Sequence, residues 1–356
     1  MSRFMGIRHR VKATAEGEAR PTEVVILDDE KIIHYELPDD DAELDFVRGQ
    51  FPTSHRKVTA EDDTRTLPER HCKMRKMKPE EAENVPEQHR RKIGKDTFVV
   101  TQVPAAYDGL TAGDTIGMTL GGSGDRLAFA LSRKGEDLTP AITRMMRIPP
   151  FVFEKLRGER DKTGDATKLA ELVRDQPDMF TLLTRRERDL IRVIEAYRAR
   201  IEAMQERIKC EQRLRQRLVG RVFCTEEGGY PEGSIEQTYD DRKASDAILL
   251  SLTTEEGKRL RDLTHVLEEL EVYAQLFKPI EGVGPAIAAR VIVAIGDIRR
   301  FATPPKFKAF LGAHVQRGGT HGETPTEKQF PRRRAGTVAN WHPDARQALY
   351  LLTEQF

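Results

Sequence analysis

The chain has 356 residues, of which 33% are charged and 38% hydrophobic, and its 59 Lys and Arg residues almost balance its 58 Asp and Glu residues. This length allows two or three domains, while the balanced charge points to no particular partner. The sequence has no apolar run near the ~18 residues that cross a membrane, no apolar stretch typical of a signal peptide and no CxxC pair among its three cysteines. These features argue against a membrane protein, a disulfide scaffold and a zinc site, and they predict a location in the reducing cytoplasm.

The N-terminal residues predict a three-stranded antiparallel meander. β-Branched and apolar residues are concentrated around Ile7–Ala13, at Thr22–Leu27 and at Lys31–Leu37, with turn residues between them. A helix is predicted next over Ala42–Gln50, because the carboxylates of Asp39–Asp41 suit its N-cap and its positive first turn.

The segment His55–Lys95 differs in composition from its neighbours. It is dense in Lys, Arg, Glu and Pro and poor in aliphatic residues. Such a composition is typical of a solvated segment that buries little apolar surface, so we predict an insertion or a mobile linker. Its basic pieces, such as Arg90–Lys92, leave contact with nucleic acid open as an alternative.

The region that follows predicts alternating strands and helices, which is the pattern of an α/β domain. The predicted elements are strands at Thr97–Thr101, Thr115–Leu120 and Ile142–Ile148 and helices at Asp125–Arg133 and Phe151–Arg157. The loop Gly121–Gly124 lacks the Gly-Lys-Ser/Thr ending of a P-loop and is not a GxGxxG motif. We therefore interpret it as a tight turn from strand to helix rather than a nucleotide site.

Two long amphipathic helices are predicted after Thr184. In the first, apolar residues recur at heptad spacing at Leu190, Ile194, Tyr197, Ile201, Met204 and Ile208. In the second they occupy Leu260, Leu263, Leu267, Leu270, Ala274 and Phe277. The residues Cys224–Asp241 between them are predicted to be a loop. The heptads are compatible with a hairpin inside one chain and with a coiled coil that joins two chains.

The sharpest local motif is Pro279–Arg290, with the sequence PIEGVGPAIAAR. Its turn, Gly282-Val283-Gly284, precedes a small-residue helix that starts at Pro285, where proline is favoured. Free amides at such a turn point outward from a positive helix end and suit a phosphate oxygen without reading bases. We predict a helix-hairpin-helix element that contacts a nucleic-acid backbone; a simple tight turn between two helices is the alternative.

Basic residues follow the motif. From Pro279 onward the chain has 11 Lys and Arg residues against six Asp and Glu residues, and cations there would add salt-dependent affinity for phosphates. The predicted nucleic-acid-binding residues are Gly282, Val283, Gly284, Arg290, Arg332, Arg333 and Arg334. The run Arg332–Arg334 is also compatible with a solvated stretch of charge.

Three C-terminal motifs, Ile280–Arg290, Ile295–Phe301 and Lys306–Gly312, together resemble the C-terminal domain of the insertion-sequence-110 type transposases, the group also named for insertion sequences 116 and 902. Upstream, Lys162–Ala170 resembles the family's Lys-Thr-Asp-x-x-Asp-Ala-x-x-Leu-Ala segment. The order and spacing of these motifs agree with the family from about Thr97 to the end of the chain.

The resemblance implies an RNase H-like (RuvC-like) α/β domain over residues 1–180, with the charged insertion at about 55–95. It further implies a helical coiled-coil spacer over 181–278 and a helix-hairpin-helix transposase domain over 279–356. Family members recombine DNA as oligomers with a structured guide RNA, and four acidic residues bind Mg²⁺ beside a nucleophilic serine. We therefore expect DNA, a guide RNA and further copies of this chain, joined through the coiled coil, as partners. The chain ends at Phe356 in a predicted helix, so we also expect the natural chain to continue.

The family's acidic positions are only partly filled in this chain. Asp165 matches the last acid, and Asp161 lies next to the preceding one, so these two are the expected Mg²⁺ ligands and catalytic carboxylates. The family's glutamate falls at Gln102 or at Gly121, neither of which is acidic. The first aspartate belongs near residues 8–10 or 16–18 and has no clear counterpart.

The nucleophilic serine is also missing. No serine occurs after Ser251, and Thr320 is the hydroxyl closest to the expected position, with His321 beside it. A threonine needs an activating base before it can attack a phosphodiester. The sequence thus predicts a DNA-binding, transposase-like protein of a mobile element with an incomplete catalytic set. A non-catalytic nucleic-acid binder derived from a transposase and a coiled-coil scaffold are the alternatives.

Overall fold

The computed structural model describes residues 3–10, 20–29, 31–78, 81, 84–119, 121–122, 124–138, 143–157, 164–228, 232–298, 301, 303–317, 328–331, 336, 339 and 341–355. The chain divides into two compact units, Met1–Thr184 and Arg185–Phe356. The division falls between Thr184 and Arg185, whereas the predicted boundaries are at 180–181 and 278–279. The predicted spacer and the predicted C-terminal domain fall together in the second unit.

The first unit contains ten strands and four α-helices within its described residues. They are β1 Phe4–Arg8, β2 Thr22–Asp28, β3 Lys31–Leu37, α1 Asp40–Val47, β4 Phe51–Lys57, β5 Lys73–Lys76, β6 Arg90–Ile93, β7 Asp96–Asp108, β8 Thr115–Thr119, α2 Gly124–Leu138, β9 Arg144–Ile148, α3 Pro150–Arg157, α4 Asp165–Asp175 and β10 Thr181–Leu182. The later strand and helix predictions are confirmed, although β7 continues to Asp108. The meander is also confirmed, but its first strand is Phe4–Arg8 rather than Ile7–Ala13, of which residues 11–13 lie outside the described residues.

Six of these strands form the main sheet, in the order β10-β9-β8-β1-β2-β3. β1, β2 and β3 are antiparallel neighbours, whereas β8 lies parallel to β1 and β9 lies parallel to β8. The N-terminal meander thus continues into a parallel half built by the crossover through α2. The mixed α/β class predicted from the sequence is confirmed.

Two glycines allow α4 to lie against this sheet at very short range. A Cβ atom on Gly6 of β1 would lie 1.9 Å from the carbonyl oxygen of Ala166, and one on Gly117 of β8 would lie 3.1 Å from the carbonyl oxygen of Leu169. Phe4 packs on the same helix, against a cluster that includes Ala170. Side chains that alternate with these along β1 point to the other face.

A smaller sheet occupies the segment predicted to be an insertion or a mobile linker, so the mobile-linker alternative is wrong. β7 runs through its centre and pairs with β4, β5 and β6. Val100 and Val103 are buried in it beside Cys72. Many charged side chains are paired locally, as in Arg75–Glu81, and Arg91 donates to main-chain carbonyls. Cross-strand hydrogen bonds and these ion pairs stabilise the smaller sheet, and the low aliphatic content of the segment does not reveal them.

The chain leaves α1 for the smaller sheet and returns from it towards β8 at adjacent positions. The N–H of Leu110 donates to the carbonyl of Phe46 at 2.9 Å. A Cβ atom on Gly109 would lie 2.2 Å from that same carbonyl oxygen and 2.8 Å from the Cα of Gly49. The two ends of the insertion therefore touch.

The segment before β5 is also tied to α1 by hydrogen bonds around a buried carboxylate. Asp45 on α1 and His71 are both 2% exposed, and the His71 Nε2 lies 2.7 Å from Asp45 Oδ2. Arg70 donates to both oxygens of the same carboxylate. Burial raises the pKa of Asp45, but the hydrogen bonds from Arg70 and His71 outweigh it and hold that pKa below its usual range.

The second unit is mainly helical. Its elements are α5 Arg185–Phe223, α6 Ile235–Ser245, α7 Ala247–Glu268, a π-helix at Tyr273–Phe277, α8 Pro285–Ile295, α9 Pro304–Phe310, β11 Gln316–Arg317, β12 Lys328–Gln329 and α10 Pro343–Thr353. No helix in the described part of the chain is both long enough and apolar enough to cross a membrane.

The two long helices form an antiparallel hairpin inside one chain. Ion pairs join Arg192 to Glu269 and Arg207 to Glu256, so residue numbers rise along α5 as they fall along α7. This favours the intrachain alternative of the heptad pattern. The loop predicted between the helices is partly wrong, because α6 starts at Ile235, where Ser234 caps it.

One hydrophobic core joins the long helices to the segment after Pro279. Leu263 and Leu267 of α7 are completely buried together with Val283 and with Ala288 of α8. Residues on both sides of the boundary predicted at 278–279 therefore pack in a single cluster.

Candidate nucleic-acid interface

The turn before α8 has the backbone geometry that its sequence indicates. Gly282 is left-handed, with φ of +83°, a conformation that favours glycine. Gly284 is the N-cap of α8, with φ −73° and ψ 168°, and no side chain caps the helix. Pro285 is the first helical residue. The helix therefore begins with main-chain donors that no side chain covers.

Three amides of this turn have no hydrogen-bond partner among the described residues, although Gly282 lies beside Gln355. The N–H groups of Gly282, Gly284 and Ala286 have no acceptor among the described residues, whereas Val283 donates to the carbonyl of Ile280 at 3.2 Å. Gly282 and Gly284 are exposed, while the Val283 side chain is only 6% exposed and belongs to the core. Val283 thus anchors the turn, and the glycines present free donors at a positive helix end, which is the arrangement that binds anions.

The charged residues near this turn do not all support the prediction. The exposed Glu281 adjoins the turn, and Lys278 is paired with Glu268. Arg290 donates from Nη2 to Gln347 at 2.8 Å, and its Nε is buried without a partner. Arg290 is therefore held against α10. The predicted cations Arg332, Arg333 and Arg334 lie outside the described residues.

In the first unit, Asp165 is the first residue of α4 and is buried. The Arg157 Nη1 lies 3.1 Å from one of its carboxylate oxygens and 3.3 Å from the other. Asp161, the other expected carboxylate, lies outside the described residues. The one described acid of the predicted pair is therefore bound to an arginine.

An arginine also stands at the end of β1, where the family's first aspartate was sought. Arg8 faces Glu23 across the β1–β2 pair. Its Nε donates to Glu23 Oε2 at 3.0 Å, and its Nη2 lies 2.6 Å from Oε1. Its third nitrogen, Nη1, is buried without a partner. Residues 16–18, the other place considered for that aspartate, lie outside the described residues.

The two positions considered for the family's glutamate lie on different sheets. Gln102 is on β7 of the smaller sheet, opposite Lys57 and Lys73. Gly121 follows β8 of the main sheet, and its N–H donates to Asp125 at 3.0 Å. This bond supports the interpretation of the glycine loop as a tight turn.

The expected magnesium ion can be tested against these side chains. Within the described residues, no three His, Cys, Asp or Glu side chains are grouped so that they could hold a metal ion. The carboxylates of Glu23, Asp125 and Asp165 are each bound by a guanidinium, from Arg8, Arg147 and Arg157. A hard divalent cation needs several free oxygen ligands. The described donor set does not fit Mg²⁺.

The sequence analysis did not identify Glu23 or Arg157 as residues of the site, and it gave Arg8 no role there. The pairing of Arg8 with Glu23 depends on strand register across residues 9–22, and no local pattern fixes that register. Arg157 was visible only as the end of a predicted helix. The predicted nucleophile Thr320 and its neighbour His321 lie outside the described residues, so Thr320 stays a prediction.

Comparison with known proteins bears on the turn directly. Residues 274–329, which include the whole of Gly282–Ala286, match the family described as Transposase IS116/IS110/IS902 family. A search of curated proteins finds no match. The resemblance inferred from the C-terminal motifs is confirmed, and over residues 274–329 this chain is similar to the transposases of that family.

Proposed function

We propose that this protein is a transposase-like DNA-binding protein of a mobile element, and that the turn Gly282–Ala286 contacts the sugar–phosphate backbone. The observation that carries the proposal is the turn itself, with two exposed glycines, three N–H groups that have no acceptor among the described residues, and a buried valine that anchors the turn in the core. Such a contact positions a protein on nucleic acid without selecting a sequence. The family match over the same residues supports the choice of DNA.

The main sheet supports an RNase H-like assignment for the first unit. Its antiparallel meander, continued by two parallel strands beside β1, gives the order β3-β2-β1-β8-β9. The smaller sheet is then an insertion between α1 and β8. This assignment rests on topology and on the resemblance of residues 162–170 to the family motif.

Gly284 offers a matched pair of variants that tests the turn. Its φ of −73° is compatible with proline, and a Cβ at this position would meet no atom within 4 Å. Gly284→Pro removes the N–H, and Gly284→Ala retains it with a similar backbone. A hydrogen bond to a charged group contributes about 1.5–3 kcal/mol, so we expect Gly284→Pro to weaken binding to duplex DNA by about tenfold or more.

Fluorescence anisotropy with labelled duplex DNA over a range of salt concentrations measures this effect. Wild type and Gly284→Ala should bind with affinity that falls as salt rises, whereas Gly284→Pro should bind more weakly at every salt concentration. Equal binding by the two variants would remove the turn from the interface. A failure of wild type to bind any nucleic acid at low salt would contradict the proposal as a whole.

The ion pair Arg157–Asp165 favours a second candidate, a nucleic-acid binder without strand-cleaving activity. A carboxylate that must activate a metal or a water is poorly suited if a guanidinium already binds its oxygens. Magnesium-dependent DNA cleavage that Asp165→Ala abolishes would support the active transposase. DNA binding without cleavage, unchanged by Asp165→Ala, would support the binder.

The guide RNA, the oligomeric state and nucleophilic attack through Thr320 belong to the proposal through the family resemblance. An element of this kind would carry a structured non-coding segment beside its reading frame, to which the purified protein should bind. The intrachain pairing of α5 with α7 means that any coiled-coil contact with another copy would use a face of the hairpin other than this seam.

A further inference from the structure

Two ion pairs lie on the face of the main sheet that α4 covers. Arg8 and Gly6 are two residues apart on β1, so their side-chain positions are on the same face, and Gly6 lies directly beneath the first turn of α4. That turn begins with Asp165, which Arg157 binds. The Arg8–Glu23 pair therefore lies on the same sheet face as the helix that begins with Asp165.

In both pairs a guanidinium balances the charge of a carboxylate, as a bound metal cation would. The two oxygens of Glu23 accept hydrogen bonds from two nitrogens of Arg8, and both oxygens of Asp165 lie within 3.3 Å of the Arg157 Nη1. An arginine supplies a full positive charge and directional donors to a carboxylate. Each carboxylate thus has its charge balanced by a guanidinium that contacts both of its oxygens.

A divalent ion could enter only if it displaced these arginines. Arginine does not lose its proton in proteins, so a displaced guanidinium would have to find another anion or reach water. The Arg8 and Arg157 side chains are only 9% and 14% exposed. A buried charge without its partner is strongly destabilising, so a metal would compete poorly for these carboxylates.

We infer that fixed guanidinium groups replace divalent cations at the described carboxylates on this face of the sheet; the comparison with a metal-binding fold rests on the RNase H-like assignment proposed above. Arg8 takes the cation's place beside Glu23, and Arg157 takes it beside Asp165. This inference concerns the first unit alone and does not depend on whether the turn Gly282–Ala286 binds DNA.

Thermal unfolding of the full chain tests the inference, in EDTA and in a saturating excess of MgCl₂ or MnCl₂. Metal that binds only the folded state raises the melting temperature, so wild type should melt at the same temperature in all three solutions. Arg8→Asp places a carboxylate directly opposite Glu23, where like charges repel. This variant should melt lower than wild type in EDTA and should regain several degrees in MnCl₂.

Arg48→Asp provides the matched control, because Arg48 is exposed at the C-terminal end of α1, one turn after the apolar Leu44. It makes the same charge change away from the site and should not respond to metal. If Arg8→Asp fails to fold, Arg157→Asp gives the same test beside Asp165.

Two results would overturn the inference. One is a metal-dependent rise in the melting temperature of wild type that Asp165→Ala abolishes. The other is a folded Arg8→Asp or Arg157→Asp protein whose melting temperature ignores MnCl₂, because the arginine would then not stand where a cation can bind.

Discussion

Arg157, at the end of α3, places Nη1 3.1 Å from the Oδ2 of Asp165, the residue that begins α4. Only 14% of the arginine side chain and 8% of the aspartate side chain are exposed. A pair so well shielded from water keeps its partners' charges strongly coupled. This contact therefore fixes the start of α4 on the sheet. It also holds Asp165, the described acid of the predicted site, in an ion pair.

Loss of this arginine should destabilise the first unit. Arg157→Met leaves the Asp165 carboxylate buried without its cation, and breaking a buried pair in this way costs about 3–5 kcal/mol. The double variant Arg157→Met/Asp165→Ala removes both charges and should recover much of that loss. Urea denaturation followed by circular dichroism compares the three proteins. Equal losses in the single and double variants would show that the pair matters only through packing.

A methyl group on Gly6 should force α4 away from the sheet. Its Cβ would lie 1.9 Å from the carbonyl oxygen of Ala166 and 2.4 Å from the amide nitrogen of Ala170, and both are backbone atoms that cannot rotate aside. Overpacking costs about 1–3 kcal/mol even where side chains can yield, so Gly6→Ala should cost at least about 3 kcal/mol in urea denaturation. Gly257→Ala, in the middle of α7 where only a distant arginine atom is near, should instead stabilise by about 0.5–1 kcal/mol. A neutral Gly6→Ala would be inconsistent with the close approach of α4.

High pH should weaken the first unit through Tyr35. Burial, together with the hydrogen bond that its hydroxyl donates to Asp108, raises the pKa of Tyr35 to about 12 from a usual value near 10. The folded state thus favours the protonated phenol. This stabilising contribution is complete below about pH 10 and is lost as the pH rises towards 12.

Tyr35→Phe supplies the comparison for this pH dependence. It removes the titrating group, so its free energy of unfolding should change less than that of wild type between pH 10 and 12. Phenolate absorbance of the folded variant should also show one fewer tyrosine with a raised pKa than that of folded wild type. Identical pH profiles for the two proteins would mean that Tyr35 titrates alike in the folded and unfolded states.

The shared core of the second unit predicts that its parts unfold together. Leu267 is completely buried among residues of α5, α7 and α8, and truncation of a buried leucine to alanine costs about 2–5 kcal/mol. In Leu267→Ala, amide hydrogens of α8 and of the adjoining part of α7 should lose protection to a similar extent in hydrogen exchange. Protection that persists in α8 alone would support the separate C-terminal domain expected from the sequence.

The sequence was most informative where a local pattern specifies the structure. β2 and β3 were recognisable as β-branched runs, and the turn at Gly282–Gly284 was recognisable because glycines, a proline and a small-residue helix follow in a fixed order. In each case the residues that decide the conformation lie within a few positions of one another.

The sequence was least informative where contacts between distant residues stabilise the structure. Arg91 holds the smaller sheet through the carbonyls of Thr64 and Leu67, and composition alone made that segment resemble a linker. The Arg8–Glu23 pair depends on strand register, and the single core around Leu267 joins residues on both sides of an expected domain boundary. Such relations exist only after the chain has folded.

The contact between Gly49 and Gly109 has a consequence for the history of this chain. Because the entry and exit of the smaller sheet meet, that module can be gained or lost with one short connection and without rethreading any strand of the larger sheet. Removal of the module would destabilise the remaining fold, however, because the buried Asp45 carboxylate would lose its hydrogen bonds to Arg70 and His71. A relative without the module should therefore carry an uncharged residue at the position of Asp45.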